Sequence, residues 1–296
     1  MPCEADPILT RGPLSLTLRP DLGGSIARFD YNAADGRQIP LFRGISLGEG
    51  GILDQGCFPL VPFVNRVRSG RFAFRGREVA LAPNLRGDPS PLHGSGWLAR
   101  WGVEKRSDSE LVLRFRHAPG GWPWAFHAAQ HFALDANGLA LTLTCTNASD
   151  APMPCGLGLH PYFPCTLETV LDTHVACAWT IDANTLPVEK VAADGAFSLR
   201  KRRICGAGLD NGFGGWGGTA HIDDPSWPFA LTLSSPDAHY LHVYAPAQVG
   251  FFAAEPVTHA NAALNAPEAD WPELGLRVLE PGETMSLSMR IDVTPG

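Results

Sequence analysis

The chain has 296 residues, 45% of them hydrophobic and 18% charged, the balance of a globular protein with a sizeable core in one large domain or two. A net charge of −7 without a basic stripe argues against a nucleic-acid partner, and no stretch approaches the roughly 20 apolar residues of a membrane span. The start, "MPCEADPILTRGPLSLTLRP", has neither a basic n-region nor a long apolar h-region. The seven cysteines (Cys3, Cys57, Cys145, Cys155, Cys165, Cys177, Cys205) are odd in number, widely spaced and free of any CxxC pair. Free buried thiols in a cytoplasmic protein are therefore expected, not a disulfide frame or a zinc site.

In chain order, "LSLTLR" (14–19), "SIARFDY" (25–31), "RFAFRG" (71–76), "ELVLRFRH" (110–117) and "GLALTLTCTN" (138–147) alternate apolar and polar residues at period 2. "ETMSLSMRID" (283–292) puts Met285, Leu287, Met289 and Ile291 on one face and Thr284, Ser286, Ser288 and Arg290 on the other, the pattern of a half-buried antiparallel strand. Turn signals lie between such runs: "ADGRQ", "DANG", "NASDAP", "LDNGFGG", "LEPGE". No amphipathic helix exceeds two turns, and no linker or fixed repeat divides the chain. The pattern predicts an all-β protein, one antiparallel domain over residues 1–296 with two or more packed sheets and few short helices.

Five stretches offer chemistry. In "PLVPFVNRVRSGRFAFRG" (59–76), Asn65-Arg66 interrupts an apolar approach, and Arg66 has planar donors for hydroxyl or carboxylate partners or simply pairs with a surface acid. "LHGSGW" (92–97) sets His93 in a glycine-rich loop, where a histidine binds something or is merely solvated. In "GLGLHPYFPC" (156–165), a strand over 156–160 turns Gly156, Gly158 and His160 to one face and Leu157 and Leu159 to the other. Glycines there leave room over His160, although a histidine capping a strand end explains the residues equally well. "LDNGF" (209–213) carries an Asn-Gly pair typical of a hairpin turn, with Asp210 flanking it. "VGFFAAEPVTHANAALN" (249–265) leads an apolar run to Glu255 at the mouth of a strand, a costly place for a carboxylate that is neither hydrogen-bonded nor functional.

Taken in order, Asn65-Arg66 before a GxFxF strand, the loop "LHG", the strand end "GLHPYF", the "LDNGF" turn and the late "EPVTHANAALN" segment resemble the aldose 1-epimerase (galactose mutarotase-like) family from about residue 10 to the C-terminus. The resemblance implies a large β-sandwich of the galactose mutarotase type with a sugar in an open cleft on a concave sheet. It further implies that His160 is the general acid and Glu255 the general base, with Arg66, His93, Asp210 and Asn65 binding the sugar. The glutamate context departs from that of the best-known members and points to a bacterial subgroup of generic aldose epimerases. The family includes hexose-6-phosphate 1-epimerases, and Arg66, Arg68, Arg71 and Arg75 lie in one region of this sequence.

Interconverting α and β anomers moves a proton from the C1 hydroxyl and another to the ring oxygen, turns the C1–C2 bond and recloses the ring. A base and an acid on opposite sides of the hemiacetal suffice, so no metal or organic cofactor is required. The expected partner is a small aldose, and the protein is expected as a monomer or homodimer. Competing readings are a 6-phosphorylated sugar substrate, a noncatalytic carbohydrate-binding protein on the same fold, and a glycoside hydrolase, which wants two carboxylates. A metal site built from His93, His127, His131 and His160 is a further one. Trp97, Tyr162 and Phe163 are either apolar walls for a sugar face or core.

Overall fold

A computed structural model describes residues 6–44, 50–248 and 250–296; Cys3 and Val249 lie outside them. Two large antiparallel sheets dominate. The nine-stranded sheet runs in the order Arg202–Arg203, Val170–Thr173, Thr219–Asp223, Phe229–Ser234, Thr284–Pro295, Gly138–Asn147, Phe126–Leu134, Glu110–His117 and Gly102–Arg106. The eight-stranded sheet runs Pro187–Ala192, Cys177–Ile181, Leu209–Gly214, Tyr240–Ala245, Phe251–Val257, Gly158–Leu159 and Pro59–Leu60, with Tyr162–Pro164 also paired to Phe251–Val257. A four-stranded meander (Ile8–Arg11, Leu14–Arg19, Ser25–Asn32, Gln38–Pro40) and the hairpin Arg71–Phe74/Arg77–Ala80 flank them. Among the described residues the helices are 3-10 turns of three residues each, and no helix is long and apolar enough to cross a membrane. The protein is thus the all-β sandwich that period-2 patterning predicts.

The alternation explains how the layers meet. Leu141, Leu143, Leu287, Met289 and Ile291 from one large sheet and Phe213, Leu241, Val243 and Ala254 from the other belong to a single contiguous core. Each large aliphatic side chain buried there is worth about 1.5–3 kcal/mol relative to exposure. The eight-stranded sheet therefore spends one face on the core. Its other face carries Asp210, Gly212, Tyr240, His242, Tyr244, Phe251, Ala253 and Glu255, which alternate with the core residues; Asp210, Tyr244 and Ala253 sit in register across the three strands, as do Gly212, His242 and Glu255.

Two expectations about local structure are corrected here. "LDNGF" is not a hairpin turn, because Leu209–Gly214 is an interior strand between Cys177–Ile181 and Tyr240–Ala245. Asn211 spends its amide on the Trp179 carbonyl (2.9 Å), and Gly214 leaves the space that the Trp179 ring fills. The chain turns only afterwards, at Gly215 with φ +64°. Nor are all the cysteines free: Cys165 and Cys205 form a disulfide, with Cys57, Cys145 and Cys155 buried as thiols and Cys177 partly buried. The pairing is hidden in sequence because three distant passages meet there. Cys165 N–H donates to the Gly250 carbonyl (3.0 Å), and Gly250 N–H donates to Cys205 Sγ (3.3 Å).

Candidate active site

The exposed face of the eight-stranded sheet floors an open pocket of about 300 Å³, lined among others by Arg43, Asn65, Arg66, His93, His160, Asp210, His242 and Glu255. All six residues singled out in the sequence for chemistry meet there. His160 Nε2 lies 3.2 Å from Glu255 Oε1, with the two side chains only 7% and 2% exposed. The other nitrogen of the imidazole, Nδ1, and the other oxygen of the carboxyl, Oε2, are buried without a hydrogen-bond partner among the described residues.

His160 reaches this position by leaving the strand early. The regular strand covers only Gly158–Leu159, and His160 N–H donates to the Phe58 carbonyl (3.0 Å). Its ring is then sandwiched between Phe58 and Tyr162, at centroid distances of 4.6 and 4.5 Å. The glycines before it do not open space for a ligand, as the sequence suggested. A Cβ on Gly156 would come within 2.0 Å of His259 Cδ2, and one on Gly158 within 2.9 Å of Leu60, Val64 and Val257, so protein side chains occupy that room. Glu255 stands inside Phe251–Val257, not at its mouth, directly opposite His242. On the other edge, Tyr162–Pro164 pairs with Phe251 to Ala253 and Gly158 with Val257, so Pro256 falls where that ladder is interrupted.

Asn65, held at φ +54°, organises the opposite wall. Its backbone N–H donates to His93 Nδ1 (3.1 Å), which leaves the His93 proton on Nε2 as a donor. Its side-chain oxygen accepts from Arg66 Nη1 (3.2 Å), and its amide nitrogen faces His242 Nδ1 (3.1 Å). Arg66 is braced by Asp88 through Nε–Oδ2 at 2.8 Å. His242 Nε2 faces Asp210 Oδ1 at 2.8 Å. Sequence reading overlooked His242 and Asp88. The signal for His242 was present in "YLHVYA" (240–245), where Tyr240, His242 and Tyr244 oppose the apolar stripe Leu241, Val243, Ala245.

The segment "THANAALN" proves to be scaffold. His259 Nε2, Asn261 Oδ1 and Asn265 Oδ1 accept the backbone N–H groups of Val64 (3.1 Å), Arg66 (3.1 Å) and Arg68 (2.7 Å), fixing the stretch that presents Asn65 and Arg66. Trp97 is fully buried and donates Nε1–H to the carbonyls of Leu92 and Gly94, anchoring the His93 loop instead of walling the cleft. Tyr162 lines the cleft, and Phe163 lies in the core. Of the arginines weighed for a phosphate, only Arg66 lines the pocket. Arg68 donates to the Pro187 carbonyl, Arg71 pairs with Glu78, and Arg75 pairs with Glu280. The second cation lining the cleft is Arg43, whose guanidinium stacks on Tyr162 and Phe251 at 4.0 and 4.4 Å.

Burial sets the electrostatics. It pushes Glu255 up to about 8, with His242 opposing the rise and Asp210 adding to it. It holds His160 and His93 well below the usual histidine range; neighbouring His242 adds to the first, His160 and Arg66 to the second. Burial alone would lower His242 too, but the Glu255 and Asp210 carboxylates outweigh it and raise that group. The His160–Glu255 contact therefore favours a single proton held between acid and base.

His93, His160 and Glu255 each offer a ligand atom, all within 4.8 Å of one another. The set does not suit a metal, because Asn65 N–H occupies His93 Nδ1 and Nε2 then carries the proton instead of a lone pair. His127 and His131 are exposed on Phe126–Leu134 in the other large sheet, so the four-histidine cluster does not form.

The structure is an antiparallel β-sandwich with a buried carboxyl–imidazole pair on the floor of an open cleft lined by arginine, histidine, carboxylate and aromatic side chains. The aldose 1-epimerase family model matches residues 13–292, and the chain belongs to that family. It is 33% identical over 297 residues to the Escherichia coli K12 protein YphB, itself uncharacterised, covering 96% of this chain and 98% of that protein. A crystal structure from Escherichia coli K12, described as a candidate aldose 1-epimerase, superposes with a TM-score of 0.88 at 31% identity, covering 99% of each chain. A galactose mutarotase-like protein from Clostridium acetobutylicum shares the fold, with a TM-score of 0.85 at 18% identity over 98% of this chain and 95% of that one.

Proposed function

We propose that the protein is an aldose 1-epimerase (mutarotase) acting on a free aldose, with Glu255 as base and His160 as acid. The observation that carries this reading is the 3.2 Å contact between His160 Nε2 and Glu255 Oε1 at the floor of the cleft. The two oxygens that lose and gain a proton in the reaction, the C1 hydroxyl and the ring oxygen, share one carbon. An acid and a base that stand side by side, as these two do, can therefore serve both, without lying across the hemiacetal from each other.

At rest the single proton of the pair favours the raised Glu255 carboxyl; once it has crossed the 3.2 Å contact to His160, Glu255 takes the proton of the C1 hydroxyl while His160 gives its proton to the ring oxygen. The bond from C1 to the ring oxygen breaks, leaving an open-chain aldehyde. After rotation about C1–C2, Glu255 returns a proton to the carbonyl oxygen and His160 takes one from the ring-forming hydroxyl as the bond re-forms. Nothing is oxidised or reduced, and the pair ends as it began. Each general acid or base step of this kind contributes roughly 10²–10⁴-fold. On this reading His93 Nε2–H, Arg66 and the second oxygen of Asp210 bind sugar hydroxyls, a role supported by the hydrogen bonds through which Asn65 holds the first two.

A 6-phosphorylated sugar is the second reading, favoured by Arg43 and Arg66 both lining the cleft. Saturation-transfer NMR of anomer exchange across free and 6-phosphorylated aldoses tests both. Accelerated exchange of a free sugar, lost in Glu255→Gln, supports the mutarotase; acceleration confined to phosphorylated sugars supports the second reading. Exchange no faster than in buffer, with sugar still bound, would make this a carbohydrate-binding protein.

A further inference from the structure

Asp210, His242 and Glu255 stand on three successive strands of the eight-stranded sheet, and their side chains share its cleft face. His242 is opposite Glu255 in register and diagonal to Asp210, so an imidazole separates two carboxylates that would otherwise face each other. Its hydrogen bonds have a fixed direction. Arg66 Nη1 can only donate, so the Asn65 atom beside it at 3.2 Å is the oxygen, and the Asn65 amide nitrogen must then point to His242 Nδ1. An amide nitrogen cannot accept, so in the neutral ring His242 Nδ1 is the acceptor and the imidazole proton sits on Nε2, aimed at Asp210 Oδ1 2.8 Å away.

The result is one chain of donors, from Arg66 through Asn65 and His242 to Asp210, with Asp88 bracing the arginine. Every link is buried or half-buried, where a satisfied polar network has only one low-energy arrangement. We propose that His242 is a positioning residue of this site, clamped by Asn65 so that its Nε2–H holds Asp210 toward the sugar and its ring keeps the Asp210 and Glu255 carboxylates apart. The kinetic part of this proposal rests on the mutarotase reading; the hydrogen-bond assignment does not. Charged and titratable groups face His242 from each neighbour: Asp210 from Leu209–Gly214, Glu255 from Phe251–Val257, Arg66 from the 61–66 segment, His93 from its loop, and His160.

Removing His242 has two separable effects. Asp210 loses its donor, which loosens sugar binding. Glu255 loses a neighbour that, once it takes a second proton below its own raised pKa, opposes the rise of the Glu255 pKa, so the alkaline limb of the activity profile moves to higher pH. Glutamine supplies an N–H but no titrating ring, so it restores only the first.

Long-range proton–nitrogen NMR at pH 9 should find the His242 proton on Nε2 in the wild type, with the two tautomers mixed in Asn65→Ala. His242→Leu should raise KM at least tenfold and move the alkaline limb upward. His242→Gln should keep KM within about threefold yet show the same limb shift, a split that a purely structural role would not give. A His242 proton found on Nδ1, or a folded His242→Leu protein with wild-type KM and an unmoved limb, overturns the proposal. If the wild type does not exchange anomers at all, the mutarotase reading fails, and the tautomer measurement still decides the positioning of His242.

Discussion

His160 Nε2 lies 3.2 Å from Glu255 Oε1, a contact between a loop entered from Gly158–Leu159 and the middle of Phe251–Val257. Both side chains are nearly dry, so neither charge is cheap and a proton shared between them is the stable arrangement. Glu255→Gln should keep the shape and remove the base. His160→Asn should keep a donor and remove the titrating ring. Each folded variant should lose roughly 10²–10⁴-fold of the catalysed rate, read by polarimetry of freshly dissolved sugar. A rate within tenfold of wild type in either variant would remove that residue from the mechanism.

The same contact fixes the direction of the pH dependence. Burial lowers His160, so the pair gains a second proton only well below pH 6.5; burial raises Glu255 to about 8, so the pair keeps its one proton up to there. The profile of kcat/KM should be flat across neutrality and fall about tenfold per pH unit above about 8. A plateau persisting to pH 10 would show that the pair does not work with one proton. Stability carries the matching sign. A carboxyl raised in the fold contributes fully below its unfolded value of 4.5, and that contribution is lost as pH rises toward about 8. The loss has an upper bound of about 5 kcal/mol, and Glu255→Gln should flatten it in urea titrations at pH 5 and pH 8.

Period-2 patterning made the sheets legible, because Leu287, Met289 and Ile291 bury the face that their spacing dictates. The six candidate site residues were legible as one set only through the resemblance to a family, since nothing local in "LHG" or "EPV" says that the two meet. What failed were local rules overruled by tertiary contacts. Asn-Gly at 211–212 is extended because Trp179 gives Asn211 a partner across the sheet, and Gly156 faces His259 instead of a ligand. His242 escaped notice because "YLHVYA" carries no motif, only an alternation whose polar face matters once Asp210 lies beside it.

Gly156 gives a test that separates scaffold from ligand contact. An added methyl would sit 2.0 Å from His259 Cδ2, and that ring cannot withdraw without releasing Val64 N–H and the Ala260 carbonyl, which it holds at 3.1 and 2.8 Å. Gly156→Ala should therefore cost about 1–3 kcal/mol in chemical denaturation. His259→Ala makes room for the methyl, so the double variant should be more stable than the sum of the single losses predicts. Strict additivity would mean that the clash is relieved elsewhere. Unchanged stability together with weakened sugar binding would return Gly156 to the ligand.

The Cys165–Cys205 bridge lies beside Gly250, where the end of Tyr162–Pro164 and the 204–208 segment meet the start of the strand that carries Glu255. Its partners are 40 residues apart, and tying the unfolded chain at that separation is worth about 4 kcal/mol on the chain-entropy estimate. The floor of the site does not depend on it, because Tyr162, Glu255 and His242 are held by the ladders of their own strands. Cys165→Ser/Cys205→Ser should lower Tm clearly while leaving anomer exchange at 25 °C within about twofold. Thiol titration of the unfolded, unreduced protein should count two fewer groups than the reduced chain. Equal counts with and without reductant would remove the bridge, and a large loss of exchange rate in the folded serine variant would show that the cleft needs it.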